Sequence, residues 1–236
     1  MDPDLKIRIT DAYSSAEQDA TSSRGLIQLA EECLANNPDQ ETMHEFLDLA
    51  HLTTVSKTIS GSGDTDIWLD HIVNIIIRSR FHVGYMLRQR ANRYKDKTAF
   101  NILIDNKLKT LSFSTVWSSV IETGRALSVF QKNEDIPVIG LLTHNQLSSV
   151  LVDLACLSFG VRVIPLPLNS TPEHISFILD HAEITHLFVG GKTGTRLWNE
   201  VQHKHPVTVI SLNDTDRLKE NTTGWDHFLE QGDPVQ

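Results

Sequence analysis

The segment Gly190-Gly191-Lys192-Thr193-Gly194-Thr195 is the part of the chain whose composition comes nearest to a phosphate-binding loop. Backbone N–H groups of a glycine-rich turn and a lysine ammonium hold anionic oxygens between a strand and a helix. The Walker pattern needs a glycine five residues before Gly191, and that position is His186. The sequence therefore favours a glycine-rich surface turn. A small nucleotide-binding domain stays open as an alternative, which ATP titration of a Lys192→Ala variant against the parent tests.

Two histidine pairs are the candidates for metal ligands. His174 and His181 stand seven residues apart on one predicted helix, and His203 and His205 flank Lys204. A protein metal site needs three or four converging ligands, usually oriented by further hydrogen bonds. Neither pair has a third ligand nearby in the sequence, so we predict solvated histidines and no metal site.

Three further polar residues lie within apolar surroundings. His144 and Asn145 follow the apolar run Val138–Leu142, and ligands of parallel sheets bind at the carboxyl ends of strands. Capping of the next helix by Asn145 is the favoured interpretation. Asp153 is predicted on the exposed side of that helix. No Ser-His-Asp, Cys-His or paired-carboxylate arrangement can be assembled, so the prediction names no catalytic, cofactor-binding or metal residue.

The elements around these residues alternate between strands and helices from Pro137 to Gly190. Val138–Leu142, Val161–Pro165 and His186–Val189 are of strand length and composition. The first intervening helix starts at Gln146 and ends near Gly160, and the second starts at Thr171-Pro172-Glu173, a capping sequence. The predicted apolar stripe of the first helix consists of Leu147, Val150, Leu151, Leu154 and Leu157. Such alternation predicts right-handed crossovers and a parallel sheet.

The flanking segments extend this α/β pattern. Thr98–Ile104 and Leu108–Leu111, joined by the turn residues Asp105-Asn106-Lys107, predict a hairpin. Ser112 is placed to cap the next helix. A strand is predicted at Val207–Leu212, and Trp225, Phe228 and Leu229 are expected to anchor the polar tail.

The first 80 residues predict a helical extension. Met1 to about Ser23 is polar and is expected to be poorly ordered. Helices are predicted at Gly25–Ala35, from Asp39, and from Asp66, with a flexible break at residues 60–64. The third helix is expected to turn six apolar residues inward: Ile67, Leu69, Ile72, Val73, Ile76 and Ile77. No motif in this region indicates a function.

Composition narrows the class of protein. Net charge is −9 and the isoelectric point about 5.6, which disfavours nucleic-acid binding and polybasic attachment to anionic membranes. The two cysteines, Cys33 and Cys156, form neither a disulfide framework nor a zinc site, and Cys156 is predicted in a core. We find no secretory signal and no apolar stretch that could cross a bilayer, and we expect a cytoplasmic protein.

Four stretches together carry a resemblance to a known family. LACLSFGVRVIPLPL (Leu154–Leu168) looks like an L-x-x-G-x-x-x-x-P-L element, and EHISFILDHAEITHLFV (173–189) looks like the unit that follows it. Upstream, TLSFSTVWSSV (Thr110–Val120) and RANRYKDKTAF (Arg90–Phe100) occur in matching order. The chain resembles, from about Arg80 to Leu212, the N-terminal part of the AMP-forming acyl-CoA synthetases of the adenylate-forming, AMP-binding family.

The resemblance implies a ligase of fatty-acid or related metabolism. Such enzymes join a carboxylic acid, possibly a fatty acid, to AMP from ATP and then transfer the acyl group to coenzyme A, with magnesium as cofactor. The family's phosphate loop, magnesium ligand, ribose-binding aspartate and catalytic lysine lie downstream of the matched stretches. Residues 190–195 resemble that loop only faintly, because Thr195-Arg196-Leu197 stands where Pro-Lys is expected.

The prediction is therefore an α/β parallel-sheet subdomain with flanking helices, residues 81–236, preceded by a helical extension, residues 1–80. The α/β part is expected to be incomplete, to pack against the remainder of an adenylation domain, and to be inactive alone. An apolar surface exposed by this incompleteness would promote self-association. The alternative is a non-catalytic interaction module on the same fold.

Overall fold

The computed structural model describes residues 3–18, 21–104, 107–133, 137–213 and 222–232. The chain divides into two compact units, Met1–His82 and Val83–Gln236. No helix among the described residues is long and apolar enough to cross a membrane.

The first unit is built from five helices in the described residues. They are α1 (Pro3–Glu17), α2 (Ser23–Asn36), α3 (Gln40–Ala50), α4 (Thr53–Ser62) and α5 (Thr65–Arg78). The hydroxyl of Ser22 accepts a hydrogen bond from the backbone N–H of Gly25, and the carboxylate of Asp39 accepts one from Thr42. These side chains fix the starts of α2 and α3 by satisfying N–H groups that have no partner within the helix.

The prediction of poor order before Ser23 is wrong for the described residues 3–18. Leu5 and Ile9 stand four residues apart on α1, and both are buried in the core of this unit. The polar composition hid this spacing, in which few apolar residues suffice because Leu5, Ile9 and Ala16 share one face. Lys6 Nζ also lies 2.9 Å from Glu45 Oε1 on α3.

The predicted break at residues 60–64 is also wrong at its start. Residues 60–62 belong to α4, whose Val55 and Ile59 are buried one turn apart. The helix ends at Gly63, which has φ 81°. That left-handed conformation is inexpensive only for glycine, so the chain turns there.

The predicted inward face of α5 is largely wrong. The unit buries Trp68 and Ile75, and Ile72 and Ile76 are partly covered. Four of the residues that the sequence placed inward are instead at least half exposed: Ile67, Leu69, Val73 and Ile77. Because α5 is apolar on most of its circumference, its hydrophobic pattern alone did not define a single buried side.

The second unit begins with helix α6 (Val83–Tyr94), followed by β1 (Thr98–Ile104), β2 (Lys107–Ser112) and the long helix α7 (Phe113–Asn133). The strands β1 and β2 form the predicted antiparallel hairpin, although its predicted turn residues Asp105 and Asn106 lie outside the described part. Ser112 caps α7 as predicted, because its hydroxyl accepts a hydrogen bond from the N–H of Thr115 at 3.2 Å.

A five-stranded parallel sheet forms the centre of this unit. Its elements are β3 (Val138–Leu142), α8 (Leu147–Phe159), β4 (Arg162–Pro165), α9 (Pro172–His181), β5 (His186–Val189), α10 (Gly191–Val201), β6 (Thr208–Ser211), β7 (Thr222–Gly224) and α11 (Trp225–Glu230). The strand order is β4-β3-β5-β6-β7, with every pair parallel. This confirms the predicted α/β fold class with a parallel sheet.

Alternate strand residues enter two cores on opposite faces of the sheet. Ile139, Leu141 and Phe188 pack with α7, α8 and α11, whereas Val138, Leu142 and Leu187 pack with α9 and α10. The described residues therefore form helix, sheet and helix layers. Phe228 is fully buried, and Trp225 and Leu229 pack beside it, which confirms the predicted anchors.

The buried face of α8 differs from the predicted stripe. Leu151 is buried as predicted, but the helix also buries Val152, Ala155 and Cys156, and Leu157 is exposed. Leu147 and Leu154 pack partly buried against the same core, so the predicted stripe is right in part. The helix carries apolar residues on more than one side, and the period alone did not define the whole buried face. Cys156 lies in the core as predicted, and Gly160 ends the helix with φ 73°.

Candidate functional site

The carboxyl ends of β3 and β5 create a crevice where the strand order reverses. The chain runs from β3 outward to β4 and then returns past β3 to β5, so neighbouring connections leave the sheet on opposite sides. Open α/β sheets bind ligands at this kind of switch point. We call residues 143–146 and 190–192 the carboxyl-edge crevice.

A hydrogen-bond network fixes the first half of this crevice. Gln146, and not Asn145 as predicted, is the capping residue of α8, in a reciprocal capping box with Ser149. The backbone N–H of Gln146 donates to Ser149 Oγ at 3.1 Å, and the amide Nε2 of Gln146 donates to Thr143 Oγ1 at 3.1 Å. The helix starts one residue later than predicted, because the backbone at Gln146 is still extended, as is typical of a capping residue.

The second half of the crevice is the start of α10. Gly190 caps this helix, and a Cβ atom there would collide with the amide of Gln146 and the hydroxyl of Thr143. Gly191 has φ 72° and lies against the ring of His144. A side chain at position 190 would therefore displace the Gln146 amide and the Thr143 hydroxyl, and the positive φ at position 191 favours glycine.

The prediction of a surface turn at 190–195 is wrong, because most of this segment is helical. Residues 191–195 are the first turns of α10, with Gly194 and Thr195 buried and Lys192 exposed. A Cβ atom at Gly194 would collide with the carbonyl oxygen of Leu142, so this glycine lets α10 approach β3. The glycines that resembled a phosphate loop thus serve helix–sheet packing.

A cavity of about 770 Å³ opens beside the crevice, on the α8 side of the sheet. Its volume lies in the range of small-molecule sites. Uncharged side chains line it, and its polar groups are the amides of Asn101, Asn145, Gln146 and Asn213 and the hydroxyl of Ser148. The apolar part consists of Ile102, Leu103, Leu147, Leu151, Leu212 and Trp225. Such a lining forms hydrogen bonds and apolar contacts but supplies no general acid or base.

Asp153 is the one carboxylate in the linings of the two cavities at this edge. It lines a smaller cavity of about 140 Å³ together with Thr143, Asn145 and Pro165. The predicted exposed position is only partly right, because Asp153 is half-buried and desolvation raises the pKa of its carboxyl group. Burial disfavours the charged form of a carboxylate, which explains the direction.

The predicted histidine pairs do not converge. His174, His181 and His203 are exposed, and the ring of His181 stacks on Phe177 with 5.2 Å between centroids. Within the described ranges no group of three or more His, Cys, Asp or Glu side chains is arranged to hold a metal ion. His205 differs from the other three because it is buried.

Among the described residues, Ser176, His205 and Asp180 form a Ser-His-Asp array that the sequence did not indicate. His205 Nε2 lies 2.7 Å from Ser176 Oγ, and His205 Nδ1 lies 2.9 Å from Asp180 Oδ1. Ser176 and Asp180 are one helical turn apart on α9, which was the available signal. In a hydrolase triad the aspartate is buried, but here the carboxylate is 72% exposed and the imidazole only 4%. The array therefore fits a structural tie between α9 and the start of β6.

Comparison with known proteins gives one family match. A family model described as "AMP-binding enzyme" matches residues 87–234. A search of curated proteins found no match.

Three of the solved structures similar to this chain are named as ligases or synthetases. Coronafacic acid ligase from Pectobacterium brasiliense is 16% identical, with a TM-score of 0.55 over 64% of this chain and 30% of that chain. A benzoate CoA ligase from Burkholderia xenovorans LB400 is 14% identical, with a TM-score of 0.52 over 66% and 29%. An acyl-CoA synthetase from Brucella canis is 16% identical, with a TM-score of 0.53 over 65% of this chain and 28% of that chain. The chain thus spans less than a third of the length of these three structures, and the likeness shows the fold.

Proposed function

Because this chain belongs to the AMP-binding enzyme family, we propose that it is the N-terminal α/β portion of an AMP-forming acyl-CoA synthetase or a related acid–thiol ligase. The family match over residues 87–234 is the observation that supports this most directly. The parent enzyme would activate a carboxylic acid with ATP and magnesium, release pyrophosphate, and pass the acyl group to coenzyme A.

In this proposal the described α/β unit is a scaffold. Its carboxyl-edge crevice and neighbouring cavity present amides and hydroxyls, which suit contacts with another polypeptide surface or an uncharged ligand better than acid–base work. The two halves of the crevice are fixed by the Gln146 capping box and by glycines that leave little room for a side chain. A rigid edge of this kind is suited to receiving the remainder of an adenylation domain.

The residues present do not fit a magnesium–ATP site by themselves. Magnesium prefers carboxylate oxygens, and Asp153 is the single carboxylate in the linings of the two cavities at this edge. Lys192 is an exposed cation at the first turn of α10. We therefore derive no catalytic step in this chain, and we place ATP, magnesium and coenzyme A with the full-length parent.

The first test is the mass of the native polypeptide in its source cells, measured with an antibody raised against this chain. We expect a band well above 26.5 kDa, because the relatives are more than three times as long as the matched part. The same purified 236-residue chain should give no ATP–pyrophosphate exchange with any acid of a mixed panel, since the groups that stabilise the transition-state charge are expected elsewhere.

Two outcomes would contradict the proposal. A native band at 26.5 kDa would favour the non-catalytic interaction module instead. Exchange above the blank by the purified chain would show that catalytic groups are present within it. An ATP-free reaction and a heat-denatured sample are the matched blanks.

A further inference from the structure

Helix α5 of the first unit has more apolar surface than its own unit covers. Eight of its 14 residues are apolar, counting Ile67, Trp68, Leu69, Ile72, Val73, Ile75, Ile76 and Ile77. The unit buries Trp68 and Ile75, but Val73 is 52% exposed and Ile77 68%. A helix that is apolar around its circumference is normally covered on all sides. We therefore expect a further surface, outside the core of this unit, to pack against α5.

The exposed apolar residues form an ordered row. Leu69, Val73 and Ile77 are spaced by four, so they lie one above another on a single face of the helix. Asp66 and Asp70, also four apart, run alongside the row toward its N-terminal end, and both are exposed. Arg80 lies just past the C-terminal end and is exposed as well. We call this surface the α5 row.

Charge limits what can occupy this row. Residues 1–82 contain 14 Asp and Glu against six Lys and Arg, which places −8 of the formal charge of −9 in the first unit. A nucleic acid or an anionic membrane would be repelled. A second copy of the chain is repelled at long range. At physiological ionic strength, however, salt screens the repulsion between charges that are more than about 8 Å apart.

At short range the row is complementary to itself. In an antiparallel pair with a two-fold axis at Val73, that residue meets its own copy and Leu69 meets Ile77. The same arrangement places the acidic first turn of α5, with Asp66, beside the basic end of the second copy, where Arg78 closes the helix and Arg80 follows it. One patch thus supplies both halves of an isologous contact. We propose that the chain forms a two-fold dimer in which α5 pairs antiparallel with α5 of a second copy, centred on Val73.

The size of the row sets the expected strength. One helix of 14 residues offers less than the roughly 1,200 Å² of buried surface found in stable interfaces. We therefore expect a transient dimer in the micromolar range. It should tighten when salt rises from low to physiological concentration, because long-range repulsion between two acidic units weakens while apolar contacts persist.

Cysteine cross-linking of the full chain tests the geometry. The native Cys33 and Cys156 give a low background, because both are buried and desolvation raises their pKa to about 11 and about 12. Val73→Cys alone should form a covalent dimer under mild oxidation, since only a residue on the two-fold axis meets itself. Leu69→Cys and Ile77→Cys should each cross-link poorly alone and well when the two variants are mixed.

Matched variants decide the outcome. Ile7→Cys, which is 59% exposed on α1, is the control for random collision. Asp66→Arg should weaken self-association in sedimentation equilibrium, and adding Arg80→Asp should restore it. Helical circular dichroism checks that each variant is folded.

Three results would overturn the proposal. One is Val73→Cys dimerising no faster than Ile7→Cys. Another is cross-linking of Leu69→Cys alone as fast as in the mixture with Ile77→Cys, which would indicate a parallel pair. The third is a chain that stays monomeric at high micromolar concentration. Binding of a lysine-rich amphipathic helical peptide to the α5 row would then assign the row to a basic partner.

Discussion

At the scale of residues, His205 connects two elements that are distant in sequence. Its buried ring joins Ser176 and Asp180 on α9 to the segment that leads into β6. Each hydrogen bond of this kind contributes about 0.5–1.5 kcal/mol net, and more is lost when a buried partner remains unsatisfied. The local stability of α9 should therefore depend on a residue outside that helix.

We expect His205→Ala to lower the local stability of α9 by about 1–3 kcal/mol, because two hydrogen bonds and a buried ring are lost together. Hydrogen exchange of the α9 amides, followed by mass spectrometry, measures this change. The control is His203→Ala, which removes an exposed ring two residues away and should stay within about 0.5 kcal/mol. Equal effects of the two variants would show that His205 does not tie α9 down.

At the scale of elements, α10 lies unusually close to β3. The position of Gly194 against the carbonyl oxygen of Leu142 leaves no room for a side chain. Gly190 is similarly enclosed by the amide of Gln146 and the hydroxyl of Thr143. Gly194 is thus explained by the short distance between α10 and β3, and Gly190 by its contact with the segment that follows β3.

Gly194→Ala should destabilise the second unit by about 1–3 kcal/mol, because the added methyl group forces α10 away from backbone atoms that cannot yield. Urea unfolding measures the loss. The matched variant is Gly61→Ala in α4, where a Cβ atom meets nothing within 4 Å. It should stabilise the chain by about 0.4–1 kcal/mol through helix propensity and a less flexible unfolded state. Stabilisation by Gly194→Ala would contradict the packing argument.

The elements also show what sequence patterns can and cannot define. Strands of the sheet were predictable, since Val138–Leu142 and His186–Val189 are short apolar runs bounded by breakers. The inward faces of α5 and α8 were predictable only in part, because both helices carry apolar residues on more than one side and burial depends on the neighbouring elements. The Ser176–His205–Asp180 array was equally hidden, since it joins residues 29 positions apart whose proximity is set by the return of the chain from α9 to β6.

At the scale of the whole molecule, the two units have separate apolar cores. One core is formed by residues of the first unit alone, and the other two lie on the faces of the parallel sheet. The family model begins at residue 87, within the second unit. The order of the α/β segments could be predicted from the sequence together with the family resemblance, whereas the helical unit offered no motif.

Phe46→Ala should cost the first unit about 3–5 kcal/mol, because this ring is fully buried in its core. Because the cores are separate, exchange protection in the strands β3 and β5 should remain unchanged in the same sample. Phe188→Ala, in the second unit, is the reciprocal variant. It should lower exchange protection in the second unit and leave the protection of the first unit unchanged. A parallel loss of protection in both units would mean that they unfold as one cooperative body.

The strand order has a consequence for synthesis on the ribosome. The strand β3, with neighbours on both sides in the finished sheet, emerges before any of them, and β4 pairs with only one of its edges. The backbone groups along the other edge of this apolar strand stay unpaired until β5 has been synthesised. An unpaired apolar strand edge invites pairing with another nascent chain. The interval between β4 and β5 is therefore when a chaperone that shields strand edges would most improve the yield of folded protein.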